Sequence, residues 1–175
     1  MPIFQEGERS SMNTEKQQSP FATQMSETIK NQLLETQDEC TFIWSTRQGD
    51  GTGASMSYLW AKNHLWLTTR DNSPRIAAIR RNPAVSVVIS GAGTTLGKSR
   101  GITIRGKALL HEAQAEHTSW FFKAYTKHLL PHSPTGAKQL EQMLKRPNQI
   151  IIEVIPEKWI CYDGQNLMKH LADMA

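Results

Sequence analysis

The feature that most narrows what this chain can fold into is the way its strand-type segments are joined. Residues 41–46 (TFIWST) are aromatic and β-branched, and GDGTG at 49–53 follows as a hairpin-type turn. Residues 54–61 (ASMSYLWA) and 64–69 (HLWLTT) flank only Lys62-Asn63, a second tight hairpin. Two residues cannot return a chain to a parallel neighbour, which needs a crossover of about a dozen or more. Residues 84–90 (AVSVVIS) put Val85, Val87 and Ile89 on one face. Residues 101–110 (GITIRGKALL) alternate Ile102 and Ile104 against Thr103 and Arg105. Residues 148–155 and 159–162 read as the last two strands, parted by a turn at Pro156-Glu157, and Asp163-Gly164 marks the next turn. Helices are inserted between strands rather than alternating with them. The spacing predicts them from Ser26 to about Gln37, from Ser73 to Arg81, over 113–129, and after a Ser133-Pro134 cap with Ala137, Leu140 and Leu144 on one stripe. The whole predicts an antiparallel barrel or sandwich with flanking helices.

The 175 residues, 38% apolar, suffice for one domain and one core. Residues 1–24 are rich in Ser, Gln, Glu and Thr and are predicted to be a disordered arm, with the folded domain at 25–175. The net charge is +4; the arm carries −1, leaving +5 on the domain. That excess suits an anionic ligand and is too small for a nucleic-acid binder. With no signal-type apolar region and no span-length apolar run, the chain reads as cytoplasmic, with no membrane partner. Cys40 and Cys161 are then expected to be free. The six histidines form no ligand-spaced pair, and Pro131 interrupts His128 and His132, so no metal site is expected. Residues 91–99 (GAGTTLGKS) come close to a P-loop, but Ala92 occupies the first glycine position and a strand follows instead of a helix. The Trp120-Phe121-Phe122 cluster reads as packing between helix and barrel.

The chemistry concentrates in residues 65–89 (LWLTTRDNSPRIAAIRRNPAVSVVI). A strand ends in two threonines and an arginine, a polar turn follows, and Ser73-Pro74-Arg75 opens a short helix closed by Asn82-Pro83. Hydroxyls of Thr68, Thr69 and Ser73, the helix-start N–H groups and the Arg75 guanidinium are expected to converge as a phosphate cradle. Arg70 or Arg105 would add a second fork. On spacing alone the same segment also reads as an ordinary capped helix with surface arginines.

The order of these pieces resembles the pyridoxamine 5′-phosphate oxidase superfamily of FMN-binding split barrels. Thr69-Arg70-Asp71-Asn72-Ser73-Pro74-Arg75 is similar to the family's T-x-x-x-S-[RP]-[KR], and Asn82-Pro83-Ala84-Val85-Ser86-Val87-Val88 to its N-P followed by V-S-[LV]-[LV]. Residues 100–107 (RGITIRGK) and 154–164 (VIPEKWICYDG) are like later family strands. The resemblance implies a mainly β (α+β) fold, a six-stranded antiparallel split β-barrel with flanking short helices. It implies FMN as cofactor, bound between the subunits of a homodimer, with hydride transfer to or from a small-molecule substrate. Thr68, Thr69, Ser73 and Arg75 match positions holding the ribityl phosphate. Ala54, Ser55 and Met56 match the strand lining the ring, Arg100 and Gly101 a stretch near phosphate or ring edge, and Tyr162 an aromatic reaching in from the other subunit. Trp159 and Tyr162 either stack on the flavin or fill the dimer interface. The oxidase's S-R-P-x-x-S-Q-x-G-A and late R-x-H motifs and a basic residue on the second strand are absent. Pyridoxamine 5′-phosphate is therefore not the expected substrate. Alternatives are a non-catalytic flavin- or haem-binding protein, or a deazaflavin-dependent reductase whose acidic tail would meet Lys98, Arg100, Arg105 and Lys107.

Overall fold

Two long strands, paired along almost their whole length, organise the molecule. The computed structural model describes residues 24–174; all but the last residue of the predicted 1–24 arm lies outside them. The strands are β1 (Glu39–Ser45), β2 (Gly51–Ser57), β3 (Leu59–Ala61), β4 (His64–Arg70), β5 (Ala84–Ser90), β6 (Arg100–Glu112) and β7 (Gln149–Asp163). They form one antiparallel sheet in the order β2-β1-β5-β6-β7-β4-β3. The helices are α1 (Glu27–Thr36), α2 (Pro74–Arg81), α3 (Phe121–Leu129), α4 (Pro134–Leu144) and α5 (Gln165–Ala172). The sheet curls into a split barrel, with one half around β1, β2 and β5 and the other around β3 and β4. β6 and β7 run through both halves.

The described residues hold seven strands rather than the six the resemblance implies, and two of the boundaries expected from the sequence fall elsewhere. The predicted strand 54–61 breaks at Tyr58 into β2 and β3. There the Tyr58 N–H donates to the Asp38 carbonyl at 3.0 Å, and its buried hydroxyl donates to the Leu34 carbonyl at 3.0 Å. The two predicted last strands are in fact one, β7, which passes through Pro156. The register shifts between Arg105 and Gly106, so Pro156 lies opposite Gly106 at a bulge, where a proline without an N–H is tolerated. The helix predicted over 113–129 is also shorter: a 3-10 turn at Glu116–Thr118 precedes α3. Helix α5 had no counterpart in the sequence reading. The Lys62-Asn63 hairpin is as expected, with φ of 55° and 61°, the left-handed pair of a primed turn.

Alternation along the strands builds two cores. The barrel interior takes Phe42, Leu65, Leu67, Val87, Ile104 and Ile152, and α1 and α2 close it with Leu33, Leu34, Ile76 and Ile79. On the opposite face, Trp66 and Ile151 pack under Phe121, Phe122 and Tyr125 of α3. The Ile150-Ile151-Ile152 run is continuous because β7 is buried on both sides there.

Burial also sets an alkaline limit. It pushes the Cys40 thiol, 3% exposed, from 9.0 up to about 12, with Glu39 adding to the shift. Burial raises the Tyr58 hydroxyl and pushes that of Tyr125 up to about 12. In the unfolded chain these groups release protons from about pH 9 upward, while the folded chain keeps them. The native state then binds more protons, so stability is intact below about pH 9 and falls as pH rises toward about 12. Urea midpoints measured across that window should decline; a flat profile would contradict the burial assignment.

At the rim of the α3 layer, Glu153 of β7 is clamped by residues of both neighbouring strands. His64 Nδ1 lies 2.6 Å from one carboxylate oxygen and His111 Nε2 2.7 Å from the other. An ionised carboxylate only accepts, so both ring nitrogens donate. His111 Nδ1 in turn lies 3.0 Å from His117 Nε2. Sequence spacing did not reveal this chain, because its members come from three separate strands and the 3-10 turn before α3. Glu153→Gln keeps the shape but presents an amide N–H to a ring N–H. With the carboxylate only 13% exposed, the loss should be about 1–3 kcal/mol in urea denaturation.

Candidate functional site

The first turn of α2 sits where β4 ends against the barrel interior. Ser73 N-caps it with φ −67° and ψ 136°, yet its side chain makes no capping hydrogen bond. The Ser73 N–H donates to the Arg70 carbonyl at 3.0 Å and the Asp71 N–H to the Asn148 carbonyl at 2.8 Å, which holds the turn in place. Pro74 supplies a helical φ where no N–H is needed.

Arg75 then projects from α2 onto β1 and β2. One guanidinium nitrogen lies 2.8 Å from the Met56 sulfur, and the group stands 5.3 Å from the centre of the Trp44 ring. Its Nε is buried and has no hydrogen-bond partner among the described residues. No carboxylate pairs with Arg75 among the described residues. A thioether is a weak acceptor, and a buried N–H left unpaired costs about 1–3 kcal/mol. Nearby arginines are treated differently: Arg80 pairs with Asp71, and Arg81 reaches the Ser45 carbonyl at 3.2 Å. Among the described residues of this stretch, Arg75 alone is a half-buried cation whose polar and ring contacts are a sulfur and an indole. That arrangement fits a group bringing its own negative charge.

The convergence expected of Thr68, Thr69, Ser73 and Arg75 is realised only in part. Consecutive strand residues face opposite sides, so Thr68 and Thr69 cannot both point at one spot. Thr68 lies on the Trp66 side, where its hydroxyl donates to the Ile150 carbonyl at 2.9 Å and accepts from Gln149 Nε2 at 2.8 Å. It serves the β4–β7 seam. Thr69 falls on the Leu65–Leu67 side, the side Arg75 occupies. Thr69, Arg70 and Ser73 border a cavity of about 430 Å³ on the α4 side of the turn, a lining that does not include Arg75.

Ala54, Ser55 and Met56 lie on β2, which among the described residues is an edge strand paired only with β1. Its free edge leaves backbone donors and acceptors for a planar ligand. Arg100 is committed elsewhere: its Nε donates to Asp163 at 2.9 Å and another nitrogen to the Leu96 carbonyl at 2.6 Å. Gly101 pairs with Ser90 and Tyr162. Tyr162, 47% exposed, and Arg105 stand on the outer face of the sheet. In the strand order β6 and β7 are three and four places from β2, so one protomer does not gather all the predicted residues.

Fold and site together define an antiparallel split barrel with an uncompensated guanidinium beside its edge strand. A family model described as pyridoxamine 5′-phosphate oxidase matches residues 25–161, and the chain belongs to that family. No curated protein matches it in sequence. Among solved structures, a conserved hypothetical protein of Mycobacterium tuberculosis is similar with TM-score 0.70 and 19% identity, over 83% of this chain and 89% of that one. A FAD-binding protein of Mesorhizobium loti is similar with TM-score 0.57 and 15% identity, over 79% and 93%. An F420 reductase is similar with TM-score 0.55 and 18% identity, over 74% and 94%. At these identities the likeness is one of fold.

Proposed function

We propose that this protein is a flavin-binding oxidoreductase that holds the phosphate of FMN on Arg75 and works as a homodimer. The carrying observation is the half-buried guanidinium whose Nε is orphaned among the described residues and whose polar and ring contacts there are Met56 and Trp44. A phosphate there would supply the missing acceptor, and the unengaged Ser73 hydroxyl at the helix start adds a donor. The free edge of β2 at Ala54–Met56 would offer backbone hydrogen bonds to the ring. Bound flavin supplies the hydride chemistry, and the protein supplies position and shielding.

The dimer is supported by the outer sheet face, where Val88, Ile160 and Tyr162 are exposed, continuing to Met168 and Leu171 of α5. In the dimer that the family resemblance implies, Tyr162 of one protomer would reach the flavin on the partner's β2. A cytoplasmic setting is part of this reading, and two free cysteines suit it; no helix among the described residues is long and apolar enough to cross a membrane.

The purified protein should be yellow or should quench the fluorescence of added FMN at stoichiometric concentration. It should then oxidise a nicotinamide cofactor in the presence of a small electrophile. Binding without turnover would reduce the proposal to a flavin-binding module; no binding would end it.

A further inference from the structure

We infer that the hydrogen-bonded chain Glu153–His111–His117 is an acid-released latch on the 3-10 turn before α3, and that its opening uncovers the aromatic surface around Trp66. The chain lies on the Trp66 side of the sheet, away from Arg75. Glu153 accepts from His111 Nε2–H at 2.7 Å, which leaves Nδ1 of that ring as an acceptor. His117 then donates Nε2–H to it at 3.0 Å, so one proton sits between the two rings.

Proton counting makes this contact a switch. A first added proton goes onto His117 Nδ1 and leaves the arrangement intact. A second cannot be accommodated. With both rings doubly protonated, two like-charged N–H groups would face each other at 3.0 Å, and the contact must open. His111 stays, because Glu153 is held from its other oxygen by His64 Nδ1 at 2.6 Å, and that ring can take a proton on Nε2 without letting go. His117 leaves, since it is exposed on a three-residue turn while His111 is only 14% exposed on β6.

The turn carries Trp120 with it. Trp120 Nε1 donates to the His117 carbonyl at 3.1 Å, and the Trp120 ring stands edge-on to that of Trp66 at 5.1 Å. From the neighbouring elements the chain is faced by Lys62 of the β3–β4 hairpin, 4.1 Å over the Trp120 ring, and by Glu116 in the turn. Glu112, Asp71 and Arg80 border a cavity with His111, and there Asp71 and Arg80 pair with each other. Lys62 adds to the repulsion once both rings are charged. The closed pair holds one added proton and the open pair two, so opening takes up one proton on the acid side of the imidazole range.

Amide exchange followed by NMR at Thr118 and Ser119, whose N–H groups donate to the Ala115 and Glu116 carbonyls at 3.1 Å, reads the opening directly. Corrected for intrinsic exchange, the opening constant should rise about ten-fold from pH 6 to pH 5. His117→Gln keeps an amide N–H for His111 Nδ1 and cannot be charged, so at this exposed position it should leave the fold intact and give a flat profile. Ring-nitrogen chemical shifts at slightly alkaline pH should show His111 protonated at Nε2 alone. A flat profile in the parent protein, an equal slope in His117→Gln, or a His111 ring protonated at Nδ1 would each overturn the latch.

Discussion

Replacing Arg75 with methionine should weaken flavin binding about ten- to hundred-fold, while the ligand-free protein stays as stable as before. The affinity figure follows from losing one charge-assisted contact to a phosphate, about 1.5–3 kcal/mol. The stability figure follows from what Arg75 touches without a ligand. Losing its stacking on Trp44 costs about 0.5–1 kcal/mol. Against this, removing a buried Nε with no acceptor relieves a penalty of about 1–3 kcal/mol. Methionine fills the same space with an unbranched apolar stem. The terms offset, so urea denaturation of the apo variant should lie within about 1 kcal/mol of the parent or above it. A purely structural Arg75 would give the reverse result, lowered stability with unaltered flavin affinity.

The same residue shows where sequence reasoning reached and where it stopped. The helix at Ser73-Pro74 was legible because its cap, its proline and the closing Asn82-Pro83 are local signals. So was the Lys62-Asn63 hairpin, which has no room for any other connection. The partners of Arg75 were not legible: Met56 and Trp44 come from two other strands, and only the sheet register brings them to α2. Glu153 is hidden for the same reason, standing 89 residues from His64 and 42 from His111. The supposed convergence of Thr68 with Thr69 is a different case. The two-residue period of a strand already forbids it, and the sequence contained the correction. Pro156 misled because a proline in an apolar run reads as a break, and its tolerance depends on the residue opposite.

That opposite residue, Gly106, should be among the least replaceable positions in the molecule. A Cβ built there would lie 2.1 Å from the Ile155 carbonyl oxygen, 3.0 Å from its carbon and 3.3 Å from the Pro156 Cα. All three are main-chain atoms of β7, so no side chain can turn aside. Gly106 has no left-handed φ, so the cost is steric. Admitting even a methyl group means parting β6 from β7 at the bulge through which both strands pass from one half of the barrel to the other. Overpacking of this kind costs typically about 1–3 kcal/mol and occasionally more, and a backbone obstacle places Gly106→Ala near the top of that range. Gly51, whose added Cβ would meet nothing within 4 Å, is the matched control and should tolerate alanine within about 0.5 kcal/mol. The functional effect should follow the structural one. Beyond the bulge β7 carries Ile160 and Tyr162, the face proposed to meet the partner's β2, so a displaced bulge should weaken dimerisation and flavin binding together. Equal urea midpoints for Gly106→Ala and Gly51→Ala would show that β7 yields at Pro156 and that the bulge does not hold the two halves in place.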